Sequence, residues 1–140
     1  MKDGTQIQPS GEHRPLTVLI VDDTVMIRKL ITALLQKSTF QVIEASDGKE
    51  ALAKVHATPP DVILCDLSMP VMDGYEFLRQ MKLNDSTRQI PIAILSADSN
   101  DEQSAELMKN GAAAICDKMS NGKALEEVIL RLANRAPKTP

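Results

Sequence analysis

The sequence predicts an α/β fold, in which a five-stranded parallel sheet carries helices on both faces. Short apolar runs rich in β-branched residues alternate five times with longer segments whose apolar residues recur at helical spacing. Most of the apolar runs are continuous rather than alternating, which is typical of the central strands of a parallel sheet, covered on both sides. With 140 residues, the chain has the size of a single domain.

Five segments are predicted as strands because they are short, apolar and bounded by turn-forming or charged residues. The fifth gives the weakest signal, since alanines are poor strand formers. The predicted strands are LTVLIV (16–21), QVIEA (41–45), DVILC (61–65), PIAILS (91–96) and AAAIC (112–116).

Each predicted strand is followed by a predicted helix. Thr24 is the expected N-cap of the first helix. Asp47 with Glu50, and Ser99 with Glu102, resemble capping boxes at the second and fourth. The predicted helices are VMIRKLITALLQKS (25–38), a short segment through Val55 that ends before Pro59, YEFLRQMKL (75–83), EQSAELMKN (102–110) and ALEEVILRLANRA (124–136).

The two ends of the chain differ in composition from the part between them. Residues 1–14 lack apolar periodicity and are predicted to form a flexible leader, residues 15–136 the domain, and residues 137–140 a tail or truncated linker. No segment resembles a signal peptide or a membrane span, so we expect a cytoplasmic protein without membrane insertion. A net charge of −3 argues against direct binding of nucleic acid.

Chemically useful side chains accompany four of the five predicted strand ends. Asp22 and Asp23 follow the first strand, Asp66 the third, Ser96 ends the fourth and Lys118 lies just beyond the fifth. In this fold class the carboxyl ends of the strands meet at one edge, where ligands bind. Taken singly, each residue has an ordinary explanation, such as charge at a helix N-terminus or a solvated lysine. Together they would require a coincidence across four connections.

The chemistry of this set points to a metal-assisted reaction at phosphorus. Three carboxylates brought close together repel one another unless a cation neutralises them. Mg²⁺ fits best, because it prefers oxygen ligands and leaves positions for phosphate oxygens. A carboxylate beside Mg²⁺, a hydroxyl and a lysine can act as a nucleophile toward phosphorus and form an aspartyl phosphate.

Four motifs together resemble the receiver domain of two-component response regulators, over about residues 14–136. They are VDD (21–23), DLSMPVMDG (66–74), ILSA (94–97) and DK (117–118). The resemblance implies the flavodoxin-like, doubly wound fold of the chemotaxis regulators, with the strand order 2-1-3-4-5.

The resemblance also implies a role for each residue of the site. Asp66 is the implied phosphoacceptor, Ser96 the switch hydroxyl and Lys118 the lysine of the site. The phosphoryl group comes from a sensor histidine kinase or a histidine phosphotransfer protein, and phosphorylation changes the binding of a downstream effector protein or domain. Such a domain catalyses its own phosphorylation and slow dephosphorylation, so it is a switch rather than a turnover enzyme. The implied ligands of Mg²⁺ are Asp23, Asp66, the backbone carbonyl of Ser68 and, through water, Asp22.

Two positions depart from the family pattern. Met119 stands where the family usually has a proline in a cis peptide, so we predict a trans Lys118–Met119 bond, since a non-proline cis bond costs about 3–4 kcal/mol. Ile115 stands where the family often has Tyr or Phe, so the usual relay from the site to the surface lacks its ring. Signalling is then expected to use the segment from Ser96 to Met108, or recognition of the phosphorylated site itself.

The two cysteines are predicted to be free thiols. With the implied strand order, the fourth strand separates Cys65 from Cys116 by two strand spacings, roughly 9–10 Å. A disulfide requires Cα atoms within about 7 Å of each other.

Three other functions compete with the switch. A haloacid dehalogenase-type phosphatase would carry a second acid two residues after its nucleophile, where this chain has Ser68. A flavodoxin-like electron carrier would want a phosphate-cradling loop and aromatic stacking partners, whereas the chain has DDT after its first strand. A degenerate receiver that acts as a constitutive interaction module remains open because of Ile115 and Met119. The sequence also leaves open whether the receiver stands alone or belongs to a longer protein.

Overall fold

The computed structural model describes residues 15–97 and 100–135, in which five strands alternate with five helices. All strand pairs are parallel and the order across the sheet is β2-β1-β3-β4-β5, which confirms the predicted fold. The strands are β1 (Thr17–Val21), β2 (Gln41–Ala45), β3 (Val62–Asp66), β4 (Ile92–Ser96) and β5 (Ala114–Asp117). The helices are α1 (Val25–Gln36), α2 (Gly48–Ala57), α3 (Gly74–Leu83), α4 (Asp101–Lys109) and α5 (Gly122–Arg135).

The bounds of two strands, β3 and β5, differ from the prediction. Asp66 is the last residue of β3, not the first residue after it, because it still pairs with Leu95 of β4. Strand β5 begins later than predicted because the Ala112 N–H donates to the carbonyl of Leu107 and closes the end of α4. Strands β3 and β5 therefore end on the acidic residues Asp66 and Asp117.

The helix caps agree only in part with the capping predicted from the sequence. Asp47 accepts from the Glu50 N–H, as predicted, but the Glu50 carboxylate bonds to Ser46. Thr24 occupies the N-cap of α1 without a side-chain bond. The prediction for α4 was wrong: its N-cap is Asn100, which accepts from the N–H three residues on. Ser99, the predicted cap, lies outside the described residues.

The sheet separates two apolar cores, one on each face. On one face α1 and α5 pack through residues such as Leu35 and Ile129, and on the other α2, α3 and α4 pack through Val55, Phe77 and Leu107. Strands β3 and β4 are buried along their whole length. Burial on both sides accounts for the continuous apolar runs of the sequence.

Several smaller predictions can be compared with the described segments. Cys65 and Cys116 are free thiols, with β4 between their strands. No peptide bond in residues 15–97 or 100–135 is cis, so the Lys118–Met119 bond is trans, as predicted. No helix in these segments is long and apolar enough to cross a bilayer. The predicted leader (1–14) and tail (137–140) lie outside them.

Candidate functional site

The carboxyl ends of β1, β3 and β5 bring two acids and a lysine into direct contact. Lys118, just after β5, places its Nζ 3.0 Å from Oδ2 of Asp22 and 3.1 Å from Oδ2 of Asp66. The Lys118 N–H also donates to the carbonyl of Ser96 at 3.0 Å, which ties the end of β5 to the end of β4. Segments at the ends of β1, β3 and β5, which are distant in sequence, therefore meet at the Lys118 ammonium group.

The two contacting acids are removed from solvent. Asp22 is fully buried, Asp66 is 6% exposed, and the side chain of Lys118 is 18% exposed. Backbone N–H groups bind the other oxygen of each acid: Thr24 N–H donates to Asp22 Oδ1 and Leu67 N–H to Asp66 Oδ1, both at 2.8 Å. Buried carboxylates are costly unless they are paired and hydrogen-bonded, and these bonds offset only part of that cost.

One carboxylate oxygen remains poorly satisfied. Oδ2 of Asp22 is the one buried side-chain oxygen or nitrogen in the described segments that accepts or donates no hydrogen bond, although the Lys118 ammonium lies 3.0 Å away. Its close contact is therefore the ion pair with Lys118. An oxygen of this kind is available to a further positively charged partner or to an ordered water.

The electrostatics of the site favour binding of a cation. Burial raises the pKa of the Asp66 carboxyl, and the Asp22 carboxylate adds to the rise, while Lys118 opposes it without cancelling it. Burial alone would lower the pKa of Lys118, but the close carboxylates of Asp22 and Asp66 raise it above its usual value. The ammonium therefore stays charged, and additional positive charge would help to keep Asp66 ionised.

Asp23 completes a cluster of three acids, which we call the acid cluster: Asp22, Asp23 and Asp66. One carboxylate oxygen from each lies within 4.8 Å of the others, and Asp23 is exposed to solvent. Oxygen donors without His or Cys suit Mg²⁺, and the single ammonium of Lys118 does not neutralise three carboxylates. The residues present therefore fit a magnesium ion.

The acid cluster opens to solvent through a cleft of about 390 Å³. Ser68 and Ser96 line this cleft beside the acids and Lys118, as the sequence had predicted for the site. Gln103, in the first turns of α4, also lines it and was missed, because no motif marks a polar helix residue as facing a strand end. The lining residues are Asp23, Asp66, Leu67, Ser68, Ser96, Ala97, Gln103 and Lys118.

The loop from Asp66 to Gly74 is tightly fixed below the cleft. The Gly74 N–H donates to the carbonyl of Leu67 at 2.8 Å, and a Cβ at Gly74 would lie 2.7 Å from the Asp66 carbonyl oxygen. The Met72 N–H donates to the Pro70 carbonyl at 2.7 Å, closing a γ-turn around Val71, whose φ is 70°. Only glycine therefore fits at position 74, the first residue of α3. The γ-turn holds Val71, a β-branched residue, at a positive φ that such residues rarely adopt.

The two positions that depart from the family pattern lie on either side of Lys118. Ile115 is partly buried and packs against the core that contains Leu107 of α4. Met119 is 80% exposed, and its N–H donates to the Asp117 carboxylate. The trans bond after Lys118 is thus accommodated by a short turn, in which Ser120 also donates to the Asp117 carbonyl.

Comparisons with known proteins identify a family and a fold that this chain shares. The family model of the response regulator receiver domain matches residues 18–130. The chain is 33% identical over 129 residues to hybrid signal transduction histidine kinase D of Dictyostelium discoideum, covering 92% of this chain and 8% of that protein. It is 39% identical over 82 residues to protein PilG of Pseudomonas aeruginosa, covering 59% of this chain and 61% of PilG.

A solved structure with the same architecture is that of chemotaxis protein CheY4 of Vibrio cholerae. The two superpose with a TM-score of 0.79 at 34% identity, covering 84% of this chain and 98% of CheY4. The chain spans less than two thirds of the length of the curated relatives named above, from 8% to 61%. The likeness to those larger proteins therefore concerns this one domain.

Proposed function

The chain belongs to the response regulator receiver domain family, and from this premise we propose that it is a switch that takes up a phosphoryl group on Asp66. The family places the chain in phosphorylation-dependent signalling. The proposal goes further and assigns the phosphoacceptor, the metal and the partners. The receiver domain is proposed to extend over residues 15–136.

In the proposed reaction a carboxylate oxygen of Asp66 attacks the phosphorus of a phosphohistidine on the donor. An O–P bond forms as the N–P bond breaks, and the electron pair of that bond returns to the imidazole of the donor. Lys118, which lies 3.1 Å from Asp66 Oδ2, compensates charge on the transferred group. Ser96 lines the same cleft and donates its hydroxyl to a phosphoryl oxygen.

Mg²⁺ is the proposed cofactor. When bound, it neutralises the charge of the acid cluster and of the phosphoryl oxygens. The proposed ligands are Asp23, Asp66 and the backbone carbonyl of Ser68, with Asp22 acting through water. The three clustered carboxylates, which face only one ammonium group, support this assignment.

One observation carries the proposal. Asp66 is nearly buried, yet it lines an open cleft with its Oδ2 atom held beside Lys118. A purely structural ion pair would have no need of a cleft lined by two serines and a third acid. A nucleophile in this role must be shielded from bulk water and must still be accessible to the phosphoryl donor.

The proposed partners are a sensor histidine kinase or a histidine phosphotransfer protein as donor, and an effector protein or domain as receiver of the signal. The proposed location is the cytoplasm, where such donors present their phosphohistidine. Neither direct nucleic-acid binding nor membrane insertion forms part of the proposed role. The domain supplies its own catalytic groups for phosphorylation and for slow dephosphorylation, so it acts as a switch rather than as a turnover enzyme.

The experiment compares wild type with Asp66→Asn and with a matched control, Asp117→Asn. Asp117 also ends a strand beside Lys118, but it is exposed and lies outside the acid cluster. Each protein is incubated with Mg²⁺ and a small phosphoramidate donor, and intact mass is measured. We expect one phosphoryl group per chain in wild type and in Asp117→Asn, and none in Asp66→Asn.

The outcomes separate the competing functions. Failure of folded wild type to gain a phosphoryl group, or to respond to Mg²⁺ with beryllofluoride in NMR spectra, would indicate a constitutive interaction module. Repeated release of inorganic phosphate from small phosphate esters would indicate a phosphatase. Phosphorylation of Asp66→Asn to the wild-type level would place the acceptor elsewhere.

A further inference from the structure

A guanidinium group joins the acid cluster to the edge of the sheet. Arg28, in the first turns of α1, donates from Nη1 to the backbone carbonyl of Asp22 at 2.7 Å. Its Nε donates to Oε1 of Glu44 on β2 at 3.0 Å. The side chains are only 13% and 20% exposed, so the pair is shielded from screening by solvent.

The bond to the Asp22 carbonyl acts on two acids of the cluster. That carbonyl belongs to the same planar peptide unit as the N–H of Asp23. On the other side of Asp22, its own N–H donates to the carbonyl of Ala45 at 3.1 Å. The peptide planes before and after Asp22 are thus both fixed, one by strand β2 and the other by Arg28.

We propose that Arg28, held by Glu44, is a positioning residue that orients Asp22 and Asp23 for binding of the divalent cation. The proposal rests on the function proposed above, because it concerns the same metal site. It assigns a task to two residues outside the motifs that mark the family in this chain. Arg28 reaches no ligand atom itself and acts only through the backbone of Asp22.

Glu44 is suited to hold the guanidinium in place. It also accepts from Lys29 Nζ and from Thr32 Oγ1, each at 3.1 Å. Burial alone would raise the pKa of Glu44, but the bonds from Lys29, Arg28 and Thr32 outweigh it and hold that pKa below its usual value. The carboxylate therefore stays ionised at neutral pH and continues to accept from the Arg28 guanidinium.

The geometry requires arginine rather than any cation. A guanidinium donates along two fixed directions at once, so it can bind a carboxylate and a carbonyl together. An ammonium is a point charge on a flexible stem and would have to choose between them. Arg28→Lys should consequently keep the charge and lose part of the orientation.

A purely structural reading would give Arg28 only the task of fastening α1 to β2. Lys29 provides the control, because it pairs with the same Glu44 carboxylate and makes no contact with Asp22 in the described structure. Lys29→Met removes one tie between α1 and β2, and Arg28→Met removes a tie together with the bond to the Asp22 carbonyl. The difference between the two variants isolates that bond.

The experiment measures the Mg²⁺ dissociation constant of the full chain by calorimetry and by NMR, for wild type and four variants. They are Arg28→Met, Arg28→Lys, Glu44→Gln and Lys29→Met. Partners that orient metal ligands typically contribute about 10–100-fold to affinity. We expect Arg28→Met to weaken Mg²⁺ binding about tenfold, Arg28→Lys and Glu44→Gln by less, and Lys29→Met to leave it unchanged.

A metal-free readout accompanies the titration. In EDTA, the amide resonances of Asp23 and Thr24 should shift or broaden in Arg28→Met and stay as in wild type in Lys29→Met. Free energies of unfolding in EDTA should fall in both variants, because each loses a tie to Glu44. A fastening role alone predicts this loss of stability with no change in Mg²⁺ affinity.

Each result decides a specific point. Mg²⁺ affinity in folded Arg28→Met equal to that of wild type overturns the inference and leaves the proposed function standing. If Arg28→Met fails to fold, Arg28→Lys must bind Mg²⁺ more weakly than Lys29→Met, and equal affinities overturn the inference. Absence of Mg²⁺ binding by wild type itself overturns the proposed function and this inference with it.

Discussion

Helices α3 and α4 cover the same face of the sheet, but they are attached to it very differently. Helix α3 buries four of its ten residues, Gly74, Phe77, Leu78 and Met81. Helix α4 buries only Leu107 among its nine residues. Helix α3 follows the loop after Asp66, the last residue of β3, whereas α4 follows the end of β4, which carries Ser96.

The difference assigns different roles to the α3 side and the α4 side of this face. The side with α3 fixes Asp66, because the loop below it is closed by bonds to Gly74 and by close packing. The side with α4 depends on one buried side chain and lies next to Ile115, which is partly buried in the same core. Displacing α4 should therefore cost less free energy than displacing α3. In the proposed switch, α4 is the element that a rearrangement at Ser96 would displace.

Alanine substitutions at the buried anchors test this comparison most strongly. Phe77→Ala should lower the free energy of unfolding by about 3–5 kcal/mol, since the cavity lies in the centre of a well-packed face. Leu107→Ala should cost less, about 2 kcal/mol, because α4 can detach before the cavity penalises the whole fold. Urea unfolding of both variants measures the difference.

Native-state hydrogen exchange gives the sharper result for this pair. In Leu107→Ala the amides of α4 should exchange much faster, while those of β1 and β3 keep their protection. In Phe77→Ala the protection of all elements should fall together. If Leu107→Ala lowers protection uniformly, α4 is part of the main cooperative unit and the contrast with α3 is wrong.

The helix caps test the same comparison with smaller, matched changes. Asp73 accepts from the Glu76 N–H at 2.9 Å and Asn100 from the Gln103 N–H at 2.7 Å. Replacing either by alanine should remove about 1 kcal/mol from its helix. We expect Asp73→Ala to lower the global free energy of unfolding, and Asn100→Ala to increase exchange within α4 alone.

Conservative replacements control for the loss of the side chain. Asp73→Asn and Asn100→Asp keep the capping oxygen and should stay close to wild type. A global loss of stability in Asn100→Ala equal to that in Asp73→Ala would show that the two helices are equally coupled to the fold.

The fold was predictable because the signals that define it are local. Continuous apolar runs marked β3 and β4, and the helical repeat of α5 marked its buried side, with Leu125 and Ile129 in the core. The start of β5 was predicted wrongly because its position depends on a bond between Ala112 and Leu107 of the preceding helix. A bond of that kind cannot be read from the composition of the strand.

The candidate site was predictable only where motifs mark it. Asp22, Asp66 and Lys118 come together as their strand ends indicated. Gln103 and Arg28 were not predicted, because each sits on the polar side of a helix where any charged or amide residue would fit the pattern. Their roles depend on which distant atom each side chain meets, and periodicity carries no information about that.

The γ-turn that leads into α3 provides a test on the firmly attached side. Val71 has φ of 70° and is 77% exposed, so its side chain gains little from packing. Among residues with a side chain, Asn is enriched at positive φ, whereas β-branched residues are rare there. Val71→Asn should therefore raise the free energy of unfolding by about 1 kcal/mol.

Val25→Asn is the control for this change, because Val25 is also exposed but has no positive φ. It should not raise stability. Equal effects of the two substitutions in urea unfolding would mean that the turn around Val71 stores no strain. The turn before α3 would then cost no strain energy, and α3 would be held to the sheet more firmly than the comparison assumes.

The smallest expected effect concerns the pH dependence of α3. Bonds from Arg79 and Gln80 lower the pKa of Glu76 from 4.5 to about 2. Because the folded pKa is the lower one, the contribution of Glu76 is complete above about 4.5 and is lost as the pH falls toward about 2. Glu76→Gln should therefore lose less stability than wild type over this window.

The effect should be slight, because Glu76 lies at the surface, where solvent screens the pair. Urea unfolding of wild type and Glu76→Gln at several pH values within the window measures it. Arg79→Met removes the cation and should give the same flattened profile as Glu76→Gln. If both variants follow the wild-type profile, the acid sensitivity of the domain lies elsewhere, and α3 is held by its buried face alone.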